Sequence, residues 1–203
     1  MSVSRMLLLA SALTLAACDN KPDPPKPETT LPPAGQQPAA PMVDDTPATV
    51  EQPAVIGFHG FGPARFGQDQ EQVRMSWGRP LREGGSTSDS CYYLFREPQP
   101  DNGGFGIGFM IVDGKFARYD VDMAQFAAPG DIKVGATLDQ LRETYAGRLT
   151  EQPHKYAPDW LYVIVAPEDG SDARLVFEVN EEQVVTSWRI GVPPAVFYVE
   201  GCA

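Results

Sequence analysis

Histidine and cysteine are scarce in this 203-residue chain, which has two of the first and three of the second. Zinc and related metals are held by clusters of such ligands. Neither His59 nor His154 has Cys, Asp or Glu at ligand spacing, so no metal and no other cofactor is expected. Basic residues are also in deficit: 16 Lys and Arg stand against 27 Asp and Glu, a formal net charge of −11. Nucleic acid is bound by neutralising phosphates with Lys and Arg, so it is excluded as a partner. Signatures of catalysis are missing too. No G-x-S-x-G elbow surrounds a serine, and Gly57 to Gly67 lacks the Gly-Lys-Ser/Thr ending of a phosphate loop. In Gly104-Phe-Gly106-Ile-Gly108-Phe the glycines alternate with apolar residues. That places them on one face of a strand, where backbone approaches closely. Asp44-Asp45 and Glu181-Glu182 read as solvated charges, and no spacing selects an acid–base pair. The chain is therefore read as a non-enzyme. Its one long apolar run, Met6 to Ala17, is shorter than the roughly 20 residues that a membrane-spanning helix needs.

What that run offers instead is an address. Arg5 before it, and small residues after it, define an export signal over residues 1–17. Its ending, Leu15-Ala16-Ala17-Cys18, resembles the lipobox of bacterial lipoproteins. The resemblance implies that Cys18 is lipidated and becomes the mature N-terminus. Membrane contact is then expected through the anchor only, with the protein facing the periplasm and inner or outer membrane undecided. Residues 18–55 hold ten of the 20 prolines and almost no large apolar side chain, a composition that cannot bury a core and suits a semi-rigid tether. Residues 56–203 remain as the folded domain. With Cys18 assigned to lipid, Cys91 and Cys202 are left as a disulfide pair in an exported protein.

Within the domain the chain repeats itself. A shift of 68 positions carries Gly62, Gly67, Gln72, Arg74 and Leu81 onto Gly130, Gly135, Gln140, Arg142 and Leu149, without a gap. Such self-similarity marks a supersecondary unit that cannot bury its apolar face alone. Asp69…Gln72 and Thr137…Gln140 each fit a capping box. Behind them Val73 and Trp77, or Leu138, Leu141 and Tyr145, form the stripe of a short helix. Tyr92–Phe95 and Trp160–Val165 follow as strands. Next come alternating runs through Phe105–Ile111 and Leu175–Val179, then Phe116–Val121 and Val184–Ile190. Ser86, Ser88 and Ser90 fall in a loop. The expected class is α+β: two tandem helix-plus-meander repeats, about 61–123 and 129–191, in a joined sheet with helices on one face.

The strands carry more aromatic and cationic residues than one covered face can bury. Tyr92 and Tyr93 must point to opposite faces. Arg118 beside Tyr119, and Arg189 beside Trp188, place a cation next to an aromatic in both copies. Arg, Tyr and Trp dominate binding hot spots. Tyr92, Arg118, Tyr119, Trp160, Tyr162, Trp188 and Arg189 are therefore the candidate contacts on the uncovered face. His154, Lys155 and Tyr156 join them from the proline-flanked loop Gln152–Pro158.

One unit of glycine, capped helix, Gly-x-Pro and aromatic strand resembles outer-membrane assembly lipoproteins of the SmpA/OmlA type. Two units in tandem resemble the β-lactamase-inhibitor-protein fold, whose concave sheet grips an enzyme. The ending Phe197-Tyr-Val-Glu-Gly-Cys202, with Gln152-Pro-His-Lys-Tyr156, resembles exported bacterial proteins sometimes labelled lectins. These resemblances imply binding without catalysis. The expected function is inhibition of, or immunity to, an envelope enzyme. The alternatives are a carbohydrate-binding envelope protein and an accessory of an envelope assembly complex.

Overall fold

The computed structural model describes residues 56–203, apart from the side chains at 86 and 87; the signal, Cys18 and the proline-rich segment lie outside the described residues. Three two-residue strands, β1 (Ile56–Gly57), β2 (Gly60–Phe61) and β3 (Ala64–Arg65), form a small antiparallel sheet. Helix α1 (Gln70–Trp77) and a four-stranded meander follow: β4 (Leu81–Ser88), β5 (Cys91–Arg96), β6 (Ile107–Val112) and β7 (Lys115–Val121). The pattern recurs with α2 (Leu138–Thr144), β8 (Leu149–Pro153), β9 (Leu161–Val165), β10 (Arg174–Val179) and β11 (Val185–Gly191). The two meanders join through antiparallel pairing of β7 with β11, giving one eight-stranded sheet in the order β4-β5-β6-β7-β11-β10-β9-β8.

This overturns the α+β expectation. Among the described residues strand takes up 40% and helix 12%, so the domain is mostly β. The helices have only eight and seven residues, too short to form a layer of their own and marginal without packing. The loop placed around Ser86 and Ser88 is the end of β4, and Gln152-Pro153 belongs to β8. These two strands are the sheet edges, where polar residues and a terminal proline are tolerated because only one side of the strand is paired.

Local chemistry explains the short helices. Asp69 accepts a hydrogen bond from the Gln72 N–H at 3.2 Å, and Gly78 ends α1 in the left-handed region at φ 70°. Thr137 and Gln140 cap α2 reciprocally. Each cap satisfies backbone donors that the first turn leaves free, worth about 1 kcal/mol. Val73, Leu138, Leu141 and Tyr145 then enter one core with Phe61, Phe109, Phe177, Tyr119 and Trp188. No helix of the described residues is long and apolar enough to cross a membrane.

Candidate functional site

The sheet face away from the helices is set by strand alternation. On β5, Tyr92 and Leu94 pack against the main core, while Cys91, Tyr93 and Phe95 point the other way. Irregular pairing between β6 and β7 at Met110/Ile111 leaves one extra residue, Ala117, on β7. Beyond it Arg118 and Asp120 face away from the core, and Tyr119 and Val121 face into it. Across the join, Ser187 and Arg189 of β11 and Glu178 of β10 occupy the same outer face.

That face is not free. The segment after β11 crosses it, with a 3₁₀ turn at Ala195–Phe197. Val196 packs against Tyr162 and Val176, and Ala195 joins Tyr93, Met110 and Ala117. The Cys91–Cys202 disulfide, with a Cα–Cα separation of 5.3 Å, ties down its end. Arg118 is only 3% exposed, and every one of its nitrogens is engaged. Nε and Nη2 grip the two Asp120 oxygens at 2.9 Å each. Nη1 donates to the carbonyls of Ala195 (2.8 Å) and Tyr198 (2.7 Å), and Nη2 also to the Tyr93 hydroxyl (2.6 Å). Burial alone would lower the Arg118 pKa, but Asp120 and Tyr93 together hold it above its ordinary value. Burial drives the Tyr93 phenol upward, so it stays protonated. Arg189, 5% exposed, donates from Nε to the Val196 carbonyl at 2.8 Å and from Nη1 to Glu178 at 2.6 Å. Gly191 faces Arg118 across the join, and a Cβ there would lie 2.7 Å from the Arg118 Cβ.

Between this strap and the outer face of the sheet, from β4 and β5 across β7 to β11 and β10, a cleft of about 570 Å³ remains. Tyr93 and Phe95, with ring centroids 5.1 Å apart, form one wall with Phe105. Asp120, Glu178 and Ser187 lie in its polar part, and residues 199–203 close the other side. The wall exists because glycines give it room: a Cβ at Gly108 would sit 2.8 Å from the Phe95 ring. Gly104 and Gly106 precede β6 rather than lying along it. The N–H groups of Phe105 and Gly106 donate to the Asp122 carboxylate at 2.9 and 2.7 Å, which fixes Phe105 at the cleft. The size, and the mix of aromatic wall and few polar groups, match a small-ligand site. Among the described residues no group of three or more His, Cys, Asp or Glu could hold a metal.

Several expected contacts are placed elsewhere. Tyr92 is half-buried against the core, so Tyr93, not Tyr92, occupies the outer face. Tyr119 is fully buried and exchanges hydrogen bonds with the Gly57 backbone, pinning β1. Trp188 packs edge-on to Tyr119 in the core, and its indole N–H has no partner among the described residues. Arg118, Arg189 and Tyr162 do face outward but hold or underlie the strap. Trp160 donates its indole N–H to Glu181. His154 Nδ1 accepts from the N–H groups of Tyr156 and Ala157, and its ring lies 4.5 Å from that of Tyr162. Lys155 and Tyr156 both meet Glu200 of the strap. The loop therefore docks on its own chain rather than projecting. Phe95, Phe105, Asp120, Glu178 and Ser187 were not singled out by the sequence. One signal pointed to part of the cleft: if Cys91 bonds the C-terminal segment, its same-face neighbours Tyr93 and Phe95 must lie beside that segment.

These features define a mostly β domain stapled by a disulfide, and such bridges persist in oxidising compartments; the protein is exported. No family model matches the sequence, and no curated protein matches it. Among solved structures it is similar to the uncharacterized protein YfeY from Escherichia coli, with 14% identity, a TM-score of 0.46, and 67% of this chain and 98% of that one covered. An extracellular SCP-domain protein from Bacillus anthracis shares 12% identity at a TM-score of 0.41; 63% of this chain is covered, and it spans 44% of that protein's length. The DUF4309 family protein YjgB from Bacillus subtilis shares 10% identity at a TM-score of 0.36, with 62% and 78% covered.

Proposed function

We propose that the protein is an exported, non-catalytic binding protein, held to the cell envelope by a lipid on Cys18, whose cleft takes a segment of envelope glycan. The observation that carries this reading is the cleft between the strap and the Tyr93–Phe95–Phe105 wall. A sugar ring offers an apolar C–H face to an aromatic wall and hydroxyls to carboxylates, and this cleft holds both kinds of partner. An enzyme-gripping surface would need a broad face, and here the middle of that face is covered by residues 192–203. The test is binding to an array of envelope glycan fragments by wild type, Phe95→Ala and Phe105→Ala, with thermal unfolding measured alongside. Binding should weaken about tenfold or more in both variants, roughly 1.4 kcal/mol, with folding retained. No glycan bound, or binding untouched in both variants, would overturn the reading. A second reading, recognition of an envelope protein, is favoured by the exposed Tyr156 (57%) and Phe197 (44%) flanking Lys155 and Glu200.

A further inference from the structure

Building on the glycan reading, we infer that the cleft selects a sugar with a free amino group, a cationic amino sugar, over its N-acetylated or acidic counterparts. The argument starts from which hydrogen-bonding capacity is spent. The cleft's strongest donors are occupied: Arg118 is engaged at every nitrogen, and Arg189 serves the Val196 carbonyl and Glu178. Its acceptors are not. An ionised carboxylate offers about four lone-pair sites. Asp120 uses one position on each oxygen for Arg118 and a further one for the Tyr93 hydroxyl, which leaves one. Glu178 accepts only at Oε1 from Arg189 among the described residues. Both remain reachable, with side chains 14% and 21% exposed. Glu200, at the mouth, is 59% exposed; Tyr156 and Lys155 engage its Oε1, which leaves Oε2.

Charge points the same way. Three carboxylates line the cleft against two guanidiniums, with Lys155 beside Glu200 at the mouth, in a chain whose net charge is −11. The wall of Tyr93, Phe95 and Phe105 adds ring faces, which attract cations more strongly when water is excluded. An ammonium brings three donors and a positive charge, which are what this cleft lacks. N-acetylation removes that charge and adds a carbonyl that must compete for donors already engaged. A uronic acid sets a further carboxylate against three others.

The experiment is calorimetric titration of the full mature chain at near-physiological salt with four probes: a glucosamine oligomer, its fully N-acetylated form, a galacturonic acid oligomer of equal length, and spermine. The glucosamine oligomer should bind at least about tenfold tighter than the other three, a difference of about 1.4 kcal/mol. That preference should shrink in Glu178→Gln, which keeps an acceptor for Arg189, and in Glu200→Gln, whose exposure spares the fold. Binding of the N-acetylated oligomer as tightly, lost in Phe95→Ala, would leave the glycan reading standing and overturn this inference. Equal binding of spermine would show charge alone at work and overturn it. Preference unchanged in both glutamine variants would also overturn it. Failure of every oligosaccharide to bind would remove the glycan reading with it.

Discussion

The two meanders of the sheet follow one plan and put it to different uses. Phe109 pairs with Leu94 in the first, and Phe177, 68 positions on, pairs with Val163 in the second. Leu94 and Val163 are 69 positions apart, and so are the core partners Tyr119 and Trp188. The second meander therefore has one extra residue before β9, one fewer between β9 and β10, and one extra again before β11. In a strand a single residue of slip exchanges the two faces. The outer-face partner of Tyr93 is thus Tyr162, and Trp188 takes the buried place of Tyr119. The halves also differ on the outer face. Gly108 lets Phe95 spread in the first, while its counterpart Val176 packs with Ile164 and Val196 in the second. The cleft's aromatic wall belongs to the first half, and the corresponding place in the second is filled by Val196 of the strap.

The largest effect is expected where strap and cleft meet. Arg118→Met leaves the Asp120 carboxylate, the Tyr93 hydroxyl and two strap carbonyls without their donor. Breaking a buried ion pair from one side costs about 3–5 kcal/mol. Denaturant unfolding should show this loss. A cost under about 1 kcal/mol would mean the strap does not depend on Arg118.

Next in size is the glycine that separates the halves. In Gly108→Ala the new Cβ lies 2.8 Å from the Phe95 ring, so the ring must shift or strain the sheet, at about 1–3 kcal/mol. Val176→Ala, its counterpart, removes bulk rather than adding it and should leave the cleft unchanged. Near-ultraviolet circular dichroism and unfolding curves distinguish the two. Equal effects at both sites would show that Gly108 does not shape the aromatic wall.

Much of the local structure was legible in the sequence and little of its assembly. The caps at Asp69 and Thr137, the buried stripe residues Val73, Leu138 and Leu141, and the Cys91–Cys202 bridge each rest on a few neighbouring residues or on simple pairing. The class was misread because helical pattern and strand pattern are equally conspicuous in sequence. Here each helix is only about two turns long, and polar edge strands such as Leu81–Ser88 carry weak strand signals. The outer face was misread because Arg118 with Tyr119, and Trp188 with Arg189, were placed together although neighbours in a strand point to opposite faces; the arginines lie outside and the aromatics in the core. The strap was missed because residues 192–203 are held by carbonyls that accept from distant arginines, and no side-chain pattern marks a backbone acceptor. The cleft is a product of that strap, so it was hidden with it.

The smallest effect concerns the pair that both halves share, helix arginine to edge-strand glutamate. In the second half Arg142 grips both Glu151 oxygens, at 2.7 and 2.9 Å, and this hydrogen bonding holds the Glu151 pKa below its ordinary value. In the first, Arg74 reaches one Glu83 oxygen at 3.0 Å and also donates to the Leu81 carbonyl at 3.1 Å. A carboxylate with a lowered folded-state pKa stabilises the fold fully above its unfolded value, about 4.3. That contribution is lost as pH falls through the lowered one. Arg142→Gln should therefore raise the Glu151 pKa in a carboxyl-detected NMR titration. Its small stability deficit should be present at pH 7 and fade as pH falls through the lowered Glu151 pKa. Arg74→Gln also loses a bond to a backbone carbonyl that does not titrate, so part of its deficit should persist in acid. Identical pH dependence in the two variants would show that the two pairs are equivalent after all.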